Sequence, residues 1–150
     1  MTSQGDWLVA TIGDRPRDAS LYERALTHGS SDAGAREGAD YQRLEFLGDR
    51  VLGLVVAEWL FELFPAENEG QLSKRLNVLV ARVVCADVAR SLAVAPHVRL
   101  GKQARDDGAS DSDNVLGDVM EALIGARFLD AGLDAARAFV RAAWGRRPDG

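Results

Sequence analysis

The stretch NVLGDVMEALIGA, residues 114–126, constrains this chain more than any other. Placed on a helix, Val115, Leu116, Val119, Met120, Leu123 and Ile124 cover most of the circumference, and Asn114, Asp118, Glu121 and Gly125 fall in one line at helical spacing. A helix that is apolar nearly all round is normally buried. It therefore belongs inside a fold, and it takes two acids there with it. A second stretch, YQRLEFLGD, does the same with Glu45 and Asp49 four residues apart.

Helical signals run along almost the whole sequence, with no convincing alternating strand pattern, so the expected fold class is all-α. Ser20 with Glu23 reads as a capping box for a short helix over about 20–27, followed by an exposed loop, GSSDAGAREGAD. Asp40 is the expected N-cap of a long helix that runs to Phe64 and stops at Pro65. Asn68 with Gln71 predicts the next helix, about 70–93, ahead of Pro96. GKQARDDGASDSD reads as polar and solvent-facing. Asn114 or Asp113 should cap the apolar helix through Leu129, DAG ends it, and DAARAFVRAAW forms the last one. There is no internal repeat. The expectation is a single domain over 1–150, with its core at about 5–144.

The composition, 47% hydrophobic and 27% charged, is that of a globular protein. The single cysteine, Cys85, reads as a small buried hydrophobe and excludes an internal disulfide, which favours a reducing, cytoplasmic setting. The N-terminus has no basic region followed by an apolar run, so no signal peptide is expected. VLGLVVAEWLFELF is interrupted by Glu58 and Glu62 and falls short of the ~20 apolar residues of a membrane helix, so it reads as a core helix with Trp59 and Phe61 inside. No membrane and no organic cofactor are expected.

Residues three and four apart share a helix face at roughly 5–6 Å between β-carbons, so Glu45 lies beside Asp49, and Asp118 beside Glu121. Buried like charges cost several kcal/mol unless paired or metal-bound. The two segments offer only Arg43, Arg50 and Arg127. Oxygen-only donors select hard ions, so the expected cofactor is Mg²⁺, with Mn²⁺ able to substitute. Two other readings stay open. The acids could line solvent-facing stripes, or belong to a di-iron bundle, which calls for Glu-x-x-His pairs that are absent from both motifs.

The residues carry a family resemblance. RLEFLGDRVL (43–52) and NVLGDVMEALIGARFLD (114–130) resemble the two acidic motifs of the ribonuclease III endonuclease domain. EGQLSKRLNVLV, beginning at Glu69, resembles the element between them, and ALTHGS (25–30) resembles the lead-in. The resemblance implies that Glu45, Asp49, Asp118 and Glu121 are metal-holding carboxylates, with Asp49 and Glu121 most directly catalytic. It makes Glu69 an accessory acid and Phe46 a plug in a symmetric homodimer with two sites across one valley. Gln42 stands where many members have a glutamate, Leu76 where an arginine is frequent, and Gly29 where arginine is common. The chain ends at RRPDG, where bacterial members usually continue into a double-stranded-RNA-binding domain, so either an isolated nuclease domain or a naturally short form is expected.

The implied activity is hydrolysis of double-stranded RNA to 5′-phosphate and 3′-hydroxyl ends, in the processing of ribosomal, messenger and other structured RNA. Divalent ions suit this chemistry, in two-metal sites about 3.5–4 Å apart. The net charge of −5 looks wrong for an RNA partner, but neutralising the four site acids leaves about −1. Candidate contacts to the RNA backbone are Lys74, Arg75, Arg82, Lys102 and Arg105, which would meet an A-form duplex read by shape. His28 reads as a local hydrogen-bonding or capping residue. Two relatives of this reading differ in function. One is a non-catalytic scaffold of the same fold, which should lack acids that are all present here; the other is a short ribosomal-RNA maturation nuclease.

Overall fold

The computed structural model describes residues 3–36 and 38–149. They form eight α-helices: α1 (Gln4–Ile12), α2 (Ala19–Ala25), α3 (Gln42–Leu63), α4 (Glu69–Leu79), α5 (Arg82–Ser91), α6 (Lys102–Asp106), α7 (Asp113–Ala131) and α8 (Leu133–Trp144). Among the described residues there is no strand, only one isolated parallel bridge between Thr27 and Arg99. The all-α expectation is met. No described helix is long and apolar enough to cross a membrane.

α7 is the axis of the fold. Leu116, Val119, Met120, Ala122, Leu123, Ile124 and Ala126 have no exposed surface, and α2, α3, α5 and α8 pack around it. Its C-terminal end is fixed by polar contacts inside the core. Asp130 accepts hydrogen bonds from the Tyr22 hydroxyl at 2.8 Å and from the backbone N–H groups of Asp18 and Arg17 at 2.8 and 3.1 Å. Arg127 lies 3.6 Å from the same carboxylate. Together these hold the start of α2 against the last turn of α7. Glu58 and Glu62, which interrupt the apolar run of α3, face α8, where Arg137 and Arg141 meet them at 2.7 and 3.0 Å.

The local signals fix some boundaries and miss others. Asn68 and Gln71 form the expected reciprocal capping box, at 3.0 and 2.9 Å. The expected single helix over 70–93 is instead two, because Ala81 is extended (φ −60°, ψ 148°) and the Leu79 carbonyl accepts the Trp144 indole N–H at 2.9 Å. α7 is capped by Ser112, whose hydroxyl accepts the Val115 N–H, rather than by Asp113 or Asn114. α2 begins under Asp18 rather than Ser20, which donates its own N–H to the Asp18 carboxylate. Asp40 stands one residue before the N-cap Tyr41 and accepts from Gln42 N–H at 3.0 Å. α1, unforeseen, is capped by Ser3 and closed by Gly13 in the left-handed region. The polar segment after Gly101 is exposed as expected, but it folds into α6 and a 3-10 turn. α3 buries one face only. Trp59 is half-buried, whereas Phe61 is exposed and not a core residue.

Candidate active site

Two glycines decide where the acids meet. A β-carbon on Gly48 of α3 would stand 1.6 Å from the Glu121 carbonyl oxygen, and one on Gly125 of α7 would stand 2.3 Å from the Leu44 carbonyl oxygen. The helices therefore cross backbone against backbone. Glu45 and Asp49 flank Gly48 in sequence, and Asp118 and Glu121 precede Gly125, so all four carboxylates leave from the crossing.

The pairing runs across the crossing rather than along each helix. Glu45 is within hydrogen-bonding reach of Asp118, and Asp49 of Glu121. One carboxylate oxygen each from Glu45, Asp118 and Glu121 lie within 4.8 Å of one another. Asp49 stands outside that triad; its side chain is 53% exposed and Arg50 approaches it at 3.3 Å. Glu121 is only 8% exposed.

Burial and mutual repulsion raise the proton affinity of Glu121 and Glu45. Burial, then Asp49, then the Glu45 and Asp118 charges push Glu121 up to about 9. Burial and then Asp118 push Glu45 up to about 7, against a smaller opposing pull from Arg82. The negative field reaches further. Burial first, then Glu121 and Asp49, drives the Cys85 thiol up to about 12, so Cys85 is an inert, fully buried side chain as expected. Burial, then Asp118 and Glu45, raises Tyr41. Arg82, at the start of α5, lies 3.2 Å from Asp118 Oδ1, yet that buried oxygen receives no directed hydrogen bond.

These features suit a hard divalent cation. Three oxygens are converged, a fourth acid is at the rim, one buried oxygen lacks a directed hydrogen bond, and carboxyl groups become ligands on losing their protons. No histidine takes part. His28 sits instead in a local turn, accepting the Ser30 N–H at its Nδ1 at 3.0 Å.

The remaining candidate residues lie apart from the cluster. Glu69 opens α4 and lines an apolar cleft of about 460 Å³ with Leu60, Phe61, Leu72 and Leu76. Leu60 is fifteen residues along α3 from Glu45, roughly 20 Å at the helical rise. Phe46 is 63% exposed, with the Arg50 guanidinium 4.0 Å from its ring centre. Lys74, Lys102 and Arg105 are exposed. Arg75 is engaged, bonding Glu67 at 2.7 and 2.8 Å and lying over the Phe64 ring. The sequence reading missed Gly48 and the Arg82–Asp118 contact. The small residue between two acids was the only available signal for the first.

The family model described as Ribonuclease-III-like matches residues 18–145. The chain belongs to the ribonuclease III family. A ribonuclease 3 of Zymomonas mobilis is 56% identical over 138 residues, covering 92% of this chain and 54% of its own. A ribonuclease 3 of Rhizobium meliloti is 49% identical over 140 residues, covering 93% of this chain and 58% of its own. The chain thus spans little more than half the length of these curated relatives. The nuclease domain of ribonuclease III from Campylobacter jejuni matches at a TM-score of 0.88 and 33% identity, over 95% of this chain and 96% of that one. Giardia Dicer matches at a TM-score of 0.67 and 26% identity, over 95% of this chain and 20% of that one. The Campylobacter domain shows structural flexibility in a region involved in dimer formation.

Proposed function

We propose that this domain is a divalent-metal-dependent endoribonuclease that hydrolyses double-stranded RNA, leaving 5′-phosphate and 3′-hydroxyl ends. The observation that carries the reading is the convergence of Glu45, Asp118 and Glu121 at one glycine-to-backbone crossing of two helices, with Asp49 at its rim. Glu45, Asp118 and Glu121 would hold Mg²⁺, or Mn²⁺ in its place, with Asp49 completing the set from the rim. The bound cation supplies the Lewis-acid charge that phosphodiester hydrolysis requires.

The chain's own contribution is placement. The Gly48 and Gly125 contacts fix both helices, so the carboxylates are pre-positioned and little reorganisation accompanies binding. Asp49, the exposed acid, is the member of the set most open to a phosphate and a water from solvent. Glu45 and Glu121 must release their protons to act as ligands. Lys102, Arg105 and Lys74 offer exposed positive charge to a duplex read by shape. Arg75 is the weakest of the candidate contacts, since Glu67 already holds it.

The working form in this reading is a symmetric homodimer. Phe46, Leu54 and Phe61 form an exposed apolar stripe on α3, and the cleft of about 460 Å³ beside Phe61 is a matching recess for a ring from a second copy. Glu69 lies at the rim of that recess, far along α3 from its own acids, so its accessory role requires the second subunit. Cytoplasmic processing of ribosomal, messenger and other structured RNA is the setting this implies.

The test is cleavage of a long end-labelled RNA duplex in Mg²⁺ at low salt, compared with EDTA and with Glu121→Gln. Duplex-specific cutting that needs both the metal and Glu121 supports the reading. No cutting by a dimeric, metal-binding wild type sinks it for this domain acting alone.

A further inference from the structure

Arg82 occupies an unusual place among the acids. α4 stops at Leu79, Ala81 is extended, and Arg82 is the first residue of α5. Opposite it stands Gly117 of α7, where a β-carbon would meet Arg82 Cγ at 2.9 Å and the Arg82 carbonyl oxygen at 3.2 Å. The start of α5 can approach α7 this closely only because residue 117 has no side chain. The guanidinium then lies along the first turns of α7, with Nη2 3.2 Å from Asp118 Oδ1 and Nη1 3.4 Å from Asn114 Oδ1.

Asp118 thus has two sets of neighbours. Its carboxylate meets the guanidinium and also belongs, with Glu45 and Glu121, to the triad that would hold a divalent ion. The contact with Arg82 is electrostatic rather than a well-aligned hydrogen bond, since Asp118 Oδ1 has no directed donor although it is buried. Arg82 is itself 51% exposed against 17% for Asp118, so its long side chain has open solvent to move into while the acid stays in place. Arg50 stands beside Asp49 at 3.3 Å, but both members of that pair are more than half exposed and water screens it more strongly.

The geometry points to Arg82 as the resident counter-ion of Asp118, a built-in cation that competes with divalent metal for that carboxylate and yields it when metal binds. This rests on the reading of the acid cluster as a divalent site. In the metal-free protein the guanidinium offsets part of the negative charge at Asp118, beside the other acids of the crossing. On loading, a positive charge this close to a ligand opposes the arriving ion, so the guanidinium swings outward. Arg82 therefore lowers metal affinity and preserves the site between loadings.

The experiment is calorimetric titration of Mn²⁺ into wild type, Arg82→Gln and Arg82→Lys at one pH and ionic strength, with thermal unfolding measured in chelator and in Mn²⁺. Arg82→Gln should bind Mn²⁺ about fivefold tighter, a size in keeping with partly exposed ion pairs, while Arg82→Lys stays close to wild type. In chelator Arg82→Gln should unfold at a lower temperature than wild type, and saturating Mn²⁺ should close that gap. Equal or weaker Mn²⁺ binding by a folded Arg82→Gln protein overturns the inference alone. Absence of Mn²⁺ binding to wild type overturns the reading of the cluster and this inference together. If Arg82→Gln does not fold, the Nε–H resonance of Arg82 in wild type decides. A shift on adding diamagnetic Mg²⁺ supports release, and an unchanged resonance at saturation overturns it.

Discussion

Gly48 lies directly against the Glu121 carbonyl oxygen, with the space of a single β-carbon missing between them. The obstacle to any larger residue is backbone, which cannot rotate away as a side chain can, so α3 and α7 would have to part. Gly48→Ala should therefore cost about 3 kcal/mol or more, at the upper end for overpacking. Urea unfolding measures this. A midpoint equal to that of wild type would show that the crossing is looser than described.

The retained protons predict an inverted pH response for the metal-free protein. Glu45 and Glu121 sit at about 7 and about 9, above their ordinary value of 4.5, so the folded state binds protons more tightly than the unfolded chain. The stability they contribute is complete below about pH 4.5 and is lost as pH rises through about 7 and then about 9. In chelator the melting temperature should fall between pH 6 and 9. Glu121→Gln should flatten much of the fall, and saturating Mn²⁺ should remove it. A wild-type protein without chelator-dependent loss above pH 7 would contradict the proton placement.

Asp49→Asn and Glu121→Gln remove charge while keeping size. Each should reduce Mg²⁺-dependent cleavage by about 100-fold or more, the scale seen when a preorganised electrostatic contact is lost. Sedimentation should be unchanged, since neither residue lies on the apolar stripe of α3. Wild-type turnover by either variant would dismiss the site assignment.

Phe46 is an aromatic ring in solvent beside Arg50, an arrangement that costs hydration unless something covers it. Phe46→Ala should raise the dimer dissociation constant about 30-fold, as for a central aromatic anchor. Sedimentation equilibrium reads this directly, and an unchanged constant would remove Phe46 from the interface.

The sequence made the fold class and the four acids legible because both rest on local periodicity. Apolar residues on nearly every face of residues 114–126 require burial, and Asp118 and Glu121 are conspicuous there. What stayed hidden depends on contacts between distant residues. No glycine or proline marks the break after Leu79, whose carbonyl there accepts from an indole 65 residues away. Spacing suggested Glu45 beside Asp49, but the acid that most strongly raises Glu45 is Asp118, which only the helix crossing brings close. Arg82 read as one exposed cation among several, since nothing local links it to α7. The exposure of Phe61 was missed because a run of apolar residues on a long helix does not reveal which face remains uncovered.

The bond from Trp144 to the Leu79 carbonyl joins the last helix to the end of α4, three residues before α5 begins at Arg82. Trp144 has no exposed surface, so the same side chain fills the core and satisfies the carbonyl at the break. A residue near the end of the sequence thus acts as a remote clasp on the turn from which Arg82 sets out.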